Sequence, residues 1–114
     1  MIGTRHSHAS GKLRVFAQSP DYELAGVCEP DSRAREQRSA DAAYRGVRWL
    51  TEEEVLGDSS ITAIAVESLV WENLGWGRKV IAAGKHLHIE KPPTNDIAAF
   101  RELIDEARRK RLLV

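Results

Sequence analysis

The sequence predicts an α/β fold, in which a doubly wound parallel sheet carries helices on both faces. Short apolar segments alternate along the chain with longer polar or amphipathic ones, as strands alternate with crossover helices in such a sheet. The apolar segments are rich in β-branched residues and alanine, which is typical of strands buried on both faces. The chain has 114 residues, which suits one domain with one hydrophobic core.

The first half of the chain contains two candidate strands and a polar helix between them. Residues 23–28 read Glu-Leu-Ala-Gly-Val-Cys, and this short apolar run predicts a buried strand followed by a turn. Asp31 or Ser32 can cap the helix that we predict over residues 33–43. Residues 47–50 are a candidate for the next strand.

The central part of the chain continues this alternation. Thr51 opens a Thr-Glu-Glu-Glu capping box for a short helix that ends at Gly57. Residues 61–66 alternate β-branched residues with alanine, which predicts a strand. A helix over residues 71–83 follows, and we expect it to stop at Gly84 because glycine is the usual residue after a helix end.

The last third of the chain contains a strand and a long helix. Residues 86–89 predict the strand. Thr94 or Asn95 is predicted to cap a helix over residues 96–110, because apolar residues recur there at helical spacing. Residues 112–114 look like a further strand that has only begun. The apolar face of the long helix comprises Ile97, Phe100, Leu103, Ile104 and Ala107.

Composition limits the classes of partner. The chain has 17 basic and 17 acidic residues, so its formal net charge is zero, and nothing favours nucleic acid or an anionic membrane. Its only cysteine, Cys28, is expected to be a small buried apolar residue. Because a single cysteine cannot form an internal disulfide and nothing indicates an oxidising compartment, we expect a cytoplasmic location. No apolar run approaches the roughly 20 residues of a membrane helix. We therefore expect small-molecule or protein partners.

A specific motif lies at residues 84–92, which read Gly-Lys-His-Leu-His-Ile-Glu-Lys-Pro. Lys91 stands at the carboxyl end of a predicted strand, beside a proline that restricts the backbone, where open α/β sheets bind ligands. This stretch resembles the signature of the Gfo/Idh/MocA oxidoreductases, nicotinamide-dependent enzymes that act mostly on sugars, inositols and related polyols.

The resemblance covers nearly the whole chain, including the glycine turn at Gly3-Thr4, the strand end at residues 26–31 and the strand at residues 61–66. It implies a Rossmann-like dinucleotide-binding domain over residues 1–114, truncated in its first and last strands. Relatives continue into a second α/β domain, absent here, that supplies most of the substrate pocket. The resemblance thus implies the amino-terminal part of an enzyme that transfers a hydride between a nicotinamide cofactor and a sugar- or polyol-like alcohol.

The first strand of such a domain is short in this sequence. Only Met1 and Ile2 precede Gly3, whereas an ordinary strand has about five residues. A charged amino group near the interior of a sheet is costly without a partner. We therefore expect the isolated chain to be a fragment that is marginally stable or prone to aggregation. Without the second domain that the resemblance implies, the chain is expected to be inactive by itself, and the complete protein is expected to be a homo-oligomer.

The glycine turn departs from the dinucleotide-binding pattern. The G-x-G-x-x-G frame reads Gly-Thr-Arg-His-Ser-His over residues 3–8, so only the first glycine is present. Arg5 could bind a phosphate oxygen through its guanidinium, or could be a solvated loop residue. Glu29, at the end of the second strand, can accept hydrogen bonds from the adenosine ribose, which favours NAD over NADP. The alternative for Glu29 is a solvated turn carboxylate.

The loop after residues 61–66 differs from the family, which has Thr-Pro-Asn at this point. Ser68 retains a hydroxyl, but Val70 cannot replace the amide, and Trp71 either stacks on a ring or covers the sheet edge. The predicted cofactor-binding residues are Gly3, Thr4, Arg5, His6, Glu29, Ser68, Glu90 and Lys91.

Lys91 is the predicted catalytic residue. Hydride transfer from an alcohol carbon needs a base for the hydroxyl proton and positive charge near the oxygen, and the resemblance implies that Lys91 lies in the active site. Glu90 is expected to orient this turn, and the alternative for Lys91 is an exposed loop lysine. Arg5, His8 and Val70 motivate another hypothesis, a degenerate, non-catalytic binding or regulatory module with weakened cofactor affinity. A third hypothesis is an oligomer scaffold.

The histidines do not predict a metal site. His86 and His88 share one face of a strand, but no third or fourth ligand is indicated nearby. His6 and His8 are two residues apart at a helix start and are not expected to face each other. The basic run at residues 108–111 is expected to be a solvated helix end rather than a nucleic-acid patch, because cations complement the helix dipole there.

Overall fold

A computed structural model describes all 114 residues of the chain. Five α-helices, one 3-10 turn and two regular strands follow one another in the order α1, α2, 3-10 turn, α3, β1, α4, β2 and α5. Their bounds are α1 Ala9–Gln18, α2 Ser32–Ser39, the 3-10 turn Ala42–Tyr44, α3 Glu52–Gly57, β1 Ala63–Val66, α4 Val70–Ala82, β2 His86–Ile89 and α5 Ile97–Arg109.

All strand pairing in the sheet is parallel. β1 pairs with β2 in a register that sets Ala63 beside His86 and Val66 beside Ile89. Isolated parallel bridges extend the sheet beyond β1, from Val66 to Ile2, from Ile2 to Cys28 and from Val27 to Trp49. Ile2 therefore lies in the middle of a sheet whose order is Trp49, Val27 and Cys28, Ile2, β1 and β2.

Helices cover both faces of this sheet, as the sequence predicts. One buried cluster packs α3, α4 and α5 against the sheet, and a second packs α1 and the 3-10 turn against the opposite face. Side chains of successive strand residues point to opposite faces, so neighbouring residues belong to different clusters. The first cluster contains Ile2, Cys28 and Val66, and the second contains the residue before each of them, Met1, Val27 and Ala65. The doubly wound α/β prediction is therefore confirmed.

Helix starts follow the predicted caps with one exception. Thr51 and Glu54 form the complete capping box of α3, and Asp31 caps α2 by accepting a hydrogen bond from the Ala34 amide at 2.8 Å. The α5 helix is capped by Asp96 and not by Thr94 or Asn95. Thr94 Oγ1 instead accepts a hydrogen bond from the Asp96 amide at 3.0 Å, which orders the turn before the cap.

The polar helix after Asp31 is shorter than predicted. It ends at Ser39 rather than at residue 43. Asp41 accepts a hydrogen bond from the Ala43 amide at 2.9 Å and so starts the separate 3-10 turn Ala42–Tyr44. The ring of Tyr44 is buried in the second cluster, and this burial favours a new turn over continuation of an exposed helix.

Three predicted strands are shorter than expected, and a fourth does not form. Within residues 61–66, only Ala63–Val66 form the strand β1. Only Val27 and Cys28 pair within residues 23–28, and only Trp49 pairs within residues 47–50. Residues 112–114 form no strand, although the Leu113 carbonyl accepts a hydrogen bond from the Leu87 amide at 3.0 Å. The outer side of β2 therefore carries one backbone hydrogen bond instead of a ladder.

Buried amino groups donate to backbone carbonyls. The amino group of Met1 donates to the Gly26 carbonyl at 2.9 Å, and burial lowers its pKa from 8.0 to about 6. Lys85 is buried and donates to the carbonyls of Asp58 and Ile61 at 2.6 and 2.7 Å. Such contacts offset the cost of taking a charge out of water.

The basic run at residues 108–111 spans the end of α5. Lys110 donates to the carbonyls of Ile81 and Ala82 at the end of α4, at 3.0 and 3.2 Å. One cation of the run thus satisfies the last carbonyls of a neighbouring helix, in line with the predicted helix-end role. No helix of the structure is both long and apolar enough to cross a membrane.

Candidate functional site

The carboxyl ends of the parallel strands bring the predicted site residues to one edge of the sheet. Gly3 follows Ile2, Glu29 follows Cys28, Ser68 comes just after β1, and Glu90 follows β2. In open α/β sheets, ligands bind at this edge. We refer to it below as the carboxyl edge.

The turn at Gly3 is packed directly against Ser68. Gly3 has a φ of +82°, and a Cβ at this position would lie 2.2 Å from Ser68 Oγ and 2.9 Å from the Ser68 backbone nitrogen. Its amide donates to the Cys28 carbonyl at 2.8 Å. Only glycine fits here, because any side chain would overlap Ser68 and the left-handed backbone disfavours other residues.

Glu29 organises the same turn from the second strand. One carboxylate oxygen, Oε2, accepts hydrogen bonds from both the amide and the hydroxyl of Thr4, each at 2.7 Å, and Oε1 accepts from the Asp31 amide at 3.0 Å. Thr4 is fully buried and Glu29 is 4% exposed. Glu29 is therefore not a solvated turn carboxylate, and its Oε1 retains room for one further donor.

Arg5 is held between two carboxylates. Its guanidinium pairs with Glu72 of α4, and its Nε lies 3.8 Å from Glu29 Oε1. The Arg5 side chain is only 24% exposed, so it is not a solvated loop residue. An anion at the turn would therefore meet a guanidinium that is already partly neutralised.

Histidine and glutamate side chains form a cluster at the carboxyl edge, which we call the His/Glu cluster. It comprises His6, His8, Glu67, His88 and Glu90. His6 Nδ1 lies 3.7 Å from Glu67 Oε2, His8 Nδ1 lies 3.4 Å from Glu90 Oε2, and His88 Nε2 lies 3.7 Å from Glu67 Oε1. Lys12 of α1 reaches the cluster, with Nζ 2.8 Å from His88 Nε2 and 3.8 Å from Glu90 Oε2.

The cluster corrects two expectations about the histidines. The rings of His6 and His8 meet edge to face with centroids 4.8 Å apart, because both residues lie in the turn before α1 and not within the helix. The expectation that His88 has no further ligand-type neighbours is also wrong, since Glu67 and Glu90 come within reach of it. His86 stays outside the cluster, and its Nδ1 accepts a hydrogen bond from the Leu113 amide at 3.0 Å.

Burial sets the charge states in the cluster. Glu67 is completely buried, and burial together with the Glu90 carboxylate raises its pKa from 4.5 to about 7. Burial and the Lys12 ammonium lower the pKa of His88, which favours the uncharged imidazole. Burial opposes ionisation of Glu90, but the Lys91 amide, His8 and Lys12 outweigh it and lower the Glu90 pKa.

Lys91 lies just beyond β2 and is exposed at the carboxyl edge. Its amide donates to Glu90 Oε1 at 3.0 Å, and the Lys91–Pro92 peptide is cis. Glu90 thus contacts the backbone of the turn, as expected.

Trp71 is 78% exposed and does not cover the sheet edge. Cys28 is buried as predicted, and burial raises the pKa of its thiol to about 11.

Polar atoms without partners concentrate at the carboxyl edge. Six buried side-chain polar atoms in the structure lack a hydrogen-bond partner, and five of them lie here. The sixth is the hydroxyl of Tyr44. The five are Arg5 Nε, Glu67 Oε1, Glu67 Oε2, Ser68 Oγ and Asn73 Oδ1. Sequence reasoning missed Glu67 and gave Asn73 no role, although an acidic residue directly after the strand at residues 61–66 was a usable signal for Glu67.

Comparisons with known proteins agree with this architecture. A family model described as an oxidoreductase family with an NAD-binding Rossmann fold matches residues 1–114. No curated protein matches the chain. A presumed oxidoreductase from Erwinia carotovora atroseptica superimposes with a TM-score of 0.86 at 23% identity, over 99% of this chain and 33% of that chain.

Two further solved structures are similar. KijD10, a 3-ketoreductase from Actinomadura kijaniata in complex with TDP-benzene and NADP, has a TM-score of 0.81 at 22% identity, over 99% of this chain and 35% of that chain. A presumed myo-inositol dehydrogenase from Sinorhizobium meliloti has a TM-score of 0.81 at 15% identity, over 98% and 33%. The chain spans about a third of the length of these structures. The chain belongs to the Gfo/Idh/MocA oxidoreductase family, as an NAD-binding Rossmann-fold domain.

Proposed function

We propose that this domain binds a nicotinamide dinucleotide at its carboxyl edge, and that the complete enzyme transfers a hydride between this cofactor and a sugar- or polyol-like alcohol. The observation that carries the proposal is a set of three unpartnered buried polar atoms at this edge, which are Arg5 Nε, Ser68 Oγ and Asn73 Oδ1. Buried polar groups in proteins are nearly always hydrogen-bonded. Such a set is therefore expected where a ligand supplies the missing partners.

The substrate class is supported by the names of similar structures. One is a 3-ketoreductase and another is a presumed myo-inositol dehydrogenase, and both names describe interconversion of an alcohol and a ketone. These likenesses cover only about a third of each structure. The residues that select the substrate are expected in a second domain.

The dinucleotide fits the turn at Gly3 in part. The close packing of Gly3 on Ser68 leaves no side chain in the way. The helix α1 starts without a side-chain cap, and although the Ala9 amide already donates to the His6 carbonyl at 3.1 Å, the next amides, of Ser10 and Gly11, are available to a pyrophosphate. The remaining acceptor capacity of Glu29 suits a ribose hydroxyl, and its charge would repel a 2′-phosphate. We propose NAD as the cofactor, with NADP less favoured.

Lys91 is proposed to act on the substrate oxygen. When bound, the nicotinamide supplies the hydride acceptor or donor. During ketone reduction, the ammonium of Lys91 would stabilise negative charge on the substrate oxygen and donate a proton to it, which leaves an uncharged amine. During alcohol oxidation, that uncharged amine would accept the hydroxyl proton as the hydride leaves the carbon. Glu90 would fix the turn through its hydrogen bond from the Lys91 amide.

Kinetics of a Lys91→Ala variant of the complete enzyme test this role. We expect kcat to fall by at least about 100-fold, the range for a positioned acid or base, while the dissociation constant of NAD changes little. Arg101→Ala, an exposed change on α5, is the matched control and should leave both constants unchanged. Equal losses of turnover and NAD affinity would mean that Lys91 only holds the cofactor.

A degenerate, non-catalytic binding or regulatory module is the second candidate function. It is favoured by the partial neutralisation of Arg5 by Glu72 and Glu29 and by His8 in place of the third glycine. Calorimetric titration of the complete protein with NAD and NADH separates the two candidates. Micromolar binding supports the enzyme, whereas no binding at millimolar cofactor would rule it out in favour of the module. A homo-oligomeric state and a cytoplasmic location stay predictions.

A further inference from the structure

Glu67 is the least satisfied polar group in the molecule. Its side chain is completely buried, and neither carboxylate oxygen accepts a hydrogen bond. The carboxylate of Glu90, itself 4% exposed, is the second negative group of the same cluster. Two buried carboxylates at one place are stable only if a cation or a proton compensates their charge.

The backbone holds three candidate ligands in a fixed arrangement. Val66 and Ile89 are paired in the parallel register, so the next residues, Glu67 and Glu90, leave the sheet side by side. His88 comes from the same strand as Glu90, two residues earlier. The ligand atoms of Glu67, His88 and Glu90 all lie within 4.8 Å of one another.

These separations are close to those of a metal site. Zinc bonds of about 2.0–2.1 Å to nitrogen and oxygen place tetrahedral ligand atoms about 3.3 Å apart. His88 Nε2 and Glu67 Oε1 are 3.7 Å apart. Small side-chain rotations would therefore bring the atoms to coordinating distance without moving the strands.

The ammonium of Lys12 already lies against the candidate ligands, where the carboxylates attract a cation. Its ammonium lies 2.8 Å from His88 Nε2 and 3.8 Å from Glu90 Oε2. An ammonium has only donors, so its contact with Nε2 requires the lone pair of an uncharged imidazole, which is the form that binds metals. The Lys12 side chain is 29% exposed, and its flexible stem can withdraw from the cluster into solvent.

We propose that Glu67, His88 and Glu90 form a binding site for one divalent transition-metal ion of the zinc class, which takes the place of the Lys12 ammonium. One imidazole and two carboxylates match the mixed nitrogen and oxygen ligands of zinc, whereas magnesium prefers oxygen ligands alone. Three protein ligands leave a fourth position open, as in catalytic zinc sites. The exposed side of His88 provides the entry path. The proposal does not depend on cofactor binding.

Titration of the metal-free, tag-free complete protein with Zn²⁺ tests the site directly. We expect one ion per chain with micromolar or tighter affinity, and Co²⁺ should give the visible absorption of a tetrahedral site. Glu67→Gln and His88→Ala should each weaken Zn²⁺ binding by more than about 100-fold, the upper end of the loss that removal of a supporting hydrogen bond causes. Lys12→Met should strengthen it, because the competing ammonium is gone.

His86→Ala is the matched control, since His86 lies on the same strand but outside the cluster. It should leave Zn²⁺ affinity unchanged. Circular dichroism of each variant reports folding independently of the metal. The proposal is overturned by absence of stoichiometric Zn²⁺ binding in the wild type, by weaker binding in Lys12→Met, or by equal effects of His86→Ala and His88→Ala. Binding that survives both Glu67→Gln and His88→Ala would locate the ion at His6 and His8 instead, and would also overturn it.

Discussion

Replacing Gly3 with alanine is expected to destabilise the domain through two separable effects. The first is conformational, because Gly3 has a φ of +82°, where an L residue is disfavoured by roughly 1–2 kcal/mol. The second is steric, because the new Cβ would lie 2.9 Å from the Cα and the nitrogen of Ser68. Those atoms belong to the backbone and cannot turn away as a side chain can.

The two effects can be measured separately with a second glycine. Gly46 has a φ of +78° and no atom within 4 Å of the position of a Cβ. Gly46→Ala should therefore show the conformational cost alone. Overpacking of a tight site costs about 1–3 kcal/mol, so the total for Gly3→Ala is expected to be about 2–5 kcal/mol.

Urea unfolding of the complete protein, followed by tryptophan fluorescence, measures this difference. The free energy of unfolding is obtained by linear extrapolation for the wild type and both variants. The loss of unfolding free energy in Gly3→Ala should exceed the loss in Gly46→Ala by about 1–3 kcal/mol, at an unchanged m-value. Equal losses in the two variants would refute the argument that Gly3 is required by its contact with Ser68.

Three further stability predictions use the same assay. Lys85→Met removes the donor to two carbonyls and should lower the free energy of unfolding by about 1–3 kcal/mol. Lys79→Met, at an exposed ion pair, should lower it by under about 1 kcal/mol. Similar losses in the two variants would contradict the role of burial. Burial raises the pKa of the Cys28 thiol from 9.0 to about 11, so as pH rises the thiol ionises first in the unfolded chain. The free energy of unfolding should therefore fall by up to about 3 kcal/mol between these pH values. Cys28→Ala should lose that part of the pH dependence, and an unchanged slope in this variant would contradict the assignment to Cys28. Gly11→Ala, in α1 with open space around it, should stabilise by about 0.5–1 kcal/mol, and a loss would count against an ordinary helical backbone there.

The sequence predicted the fold best where a local pattern determines it. The capping box at Thr51 and the strand at residues 86–89 occur as expected, because both depend on residues close together in the chain. The early end of α2 depends on burial of Tyr44 on the sheet, a contact that periodicity does not reveal. Asp96 caps α5, but Thr94, Asn95 and Asp96 all have side chains suited to a cap, so the sequence alone does not decide among them.

The candidate site was predictable in position but not in detail. Parallel strands bring their carboxyl ends to one edge, so Gly3, Glu29 and Glu90 were expected to meet. The His/Glu cluster was missed because it depends on which strands are neighbours. Glu67 and His88 are 21 positions apart in the sequence, and only the pairing of β1 with β2 brings them together.

The double hydrogen bond from Thr4 to Glu29 limits how cofactor preference could be redesigned. An engineer who wished to admit a 2′-phosphate would replace Glu29 with a neutral or basic residue. That replacement would also remove the acceptor for the amide and hydroxyl of a fully buried Thr4, and unpaired buried donors destabilise a fold. A successful redesign would therefore remove the hydroxyl at position 4 and also keep, in the new side chain at position 29, an acceptor for the amide of residue 4, so that selectivity and the shape of the turn are altered together.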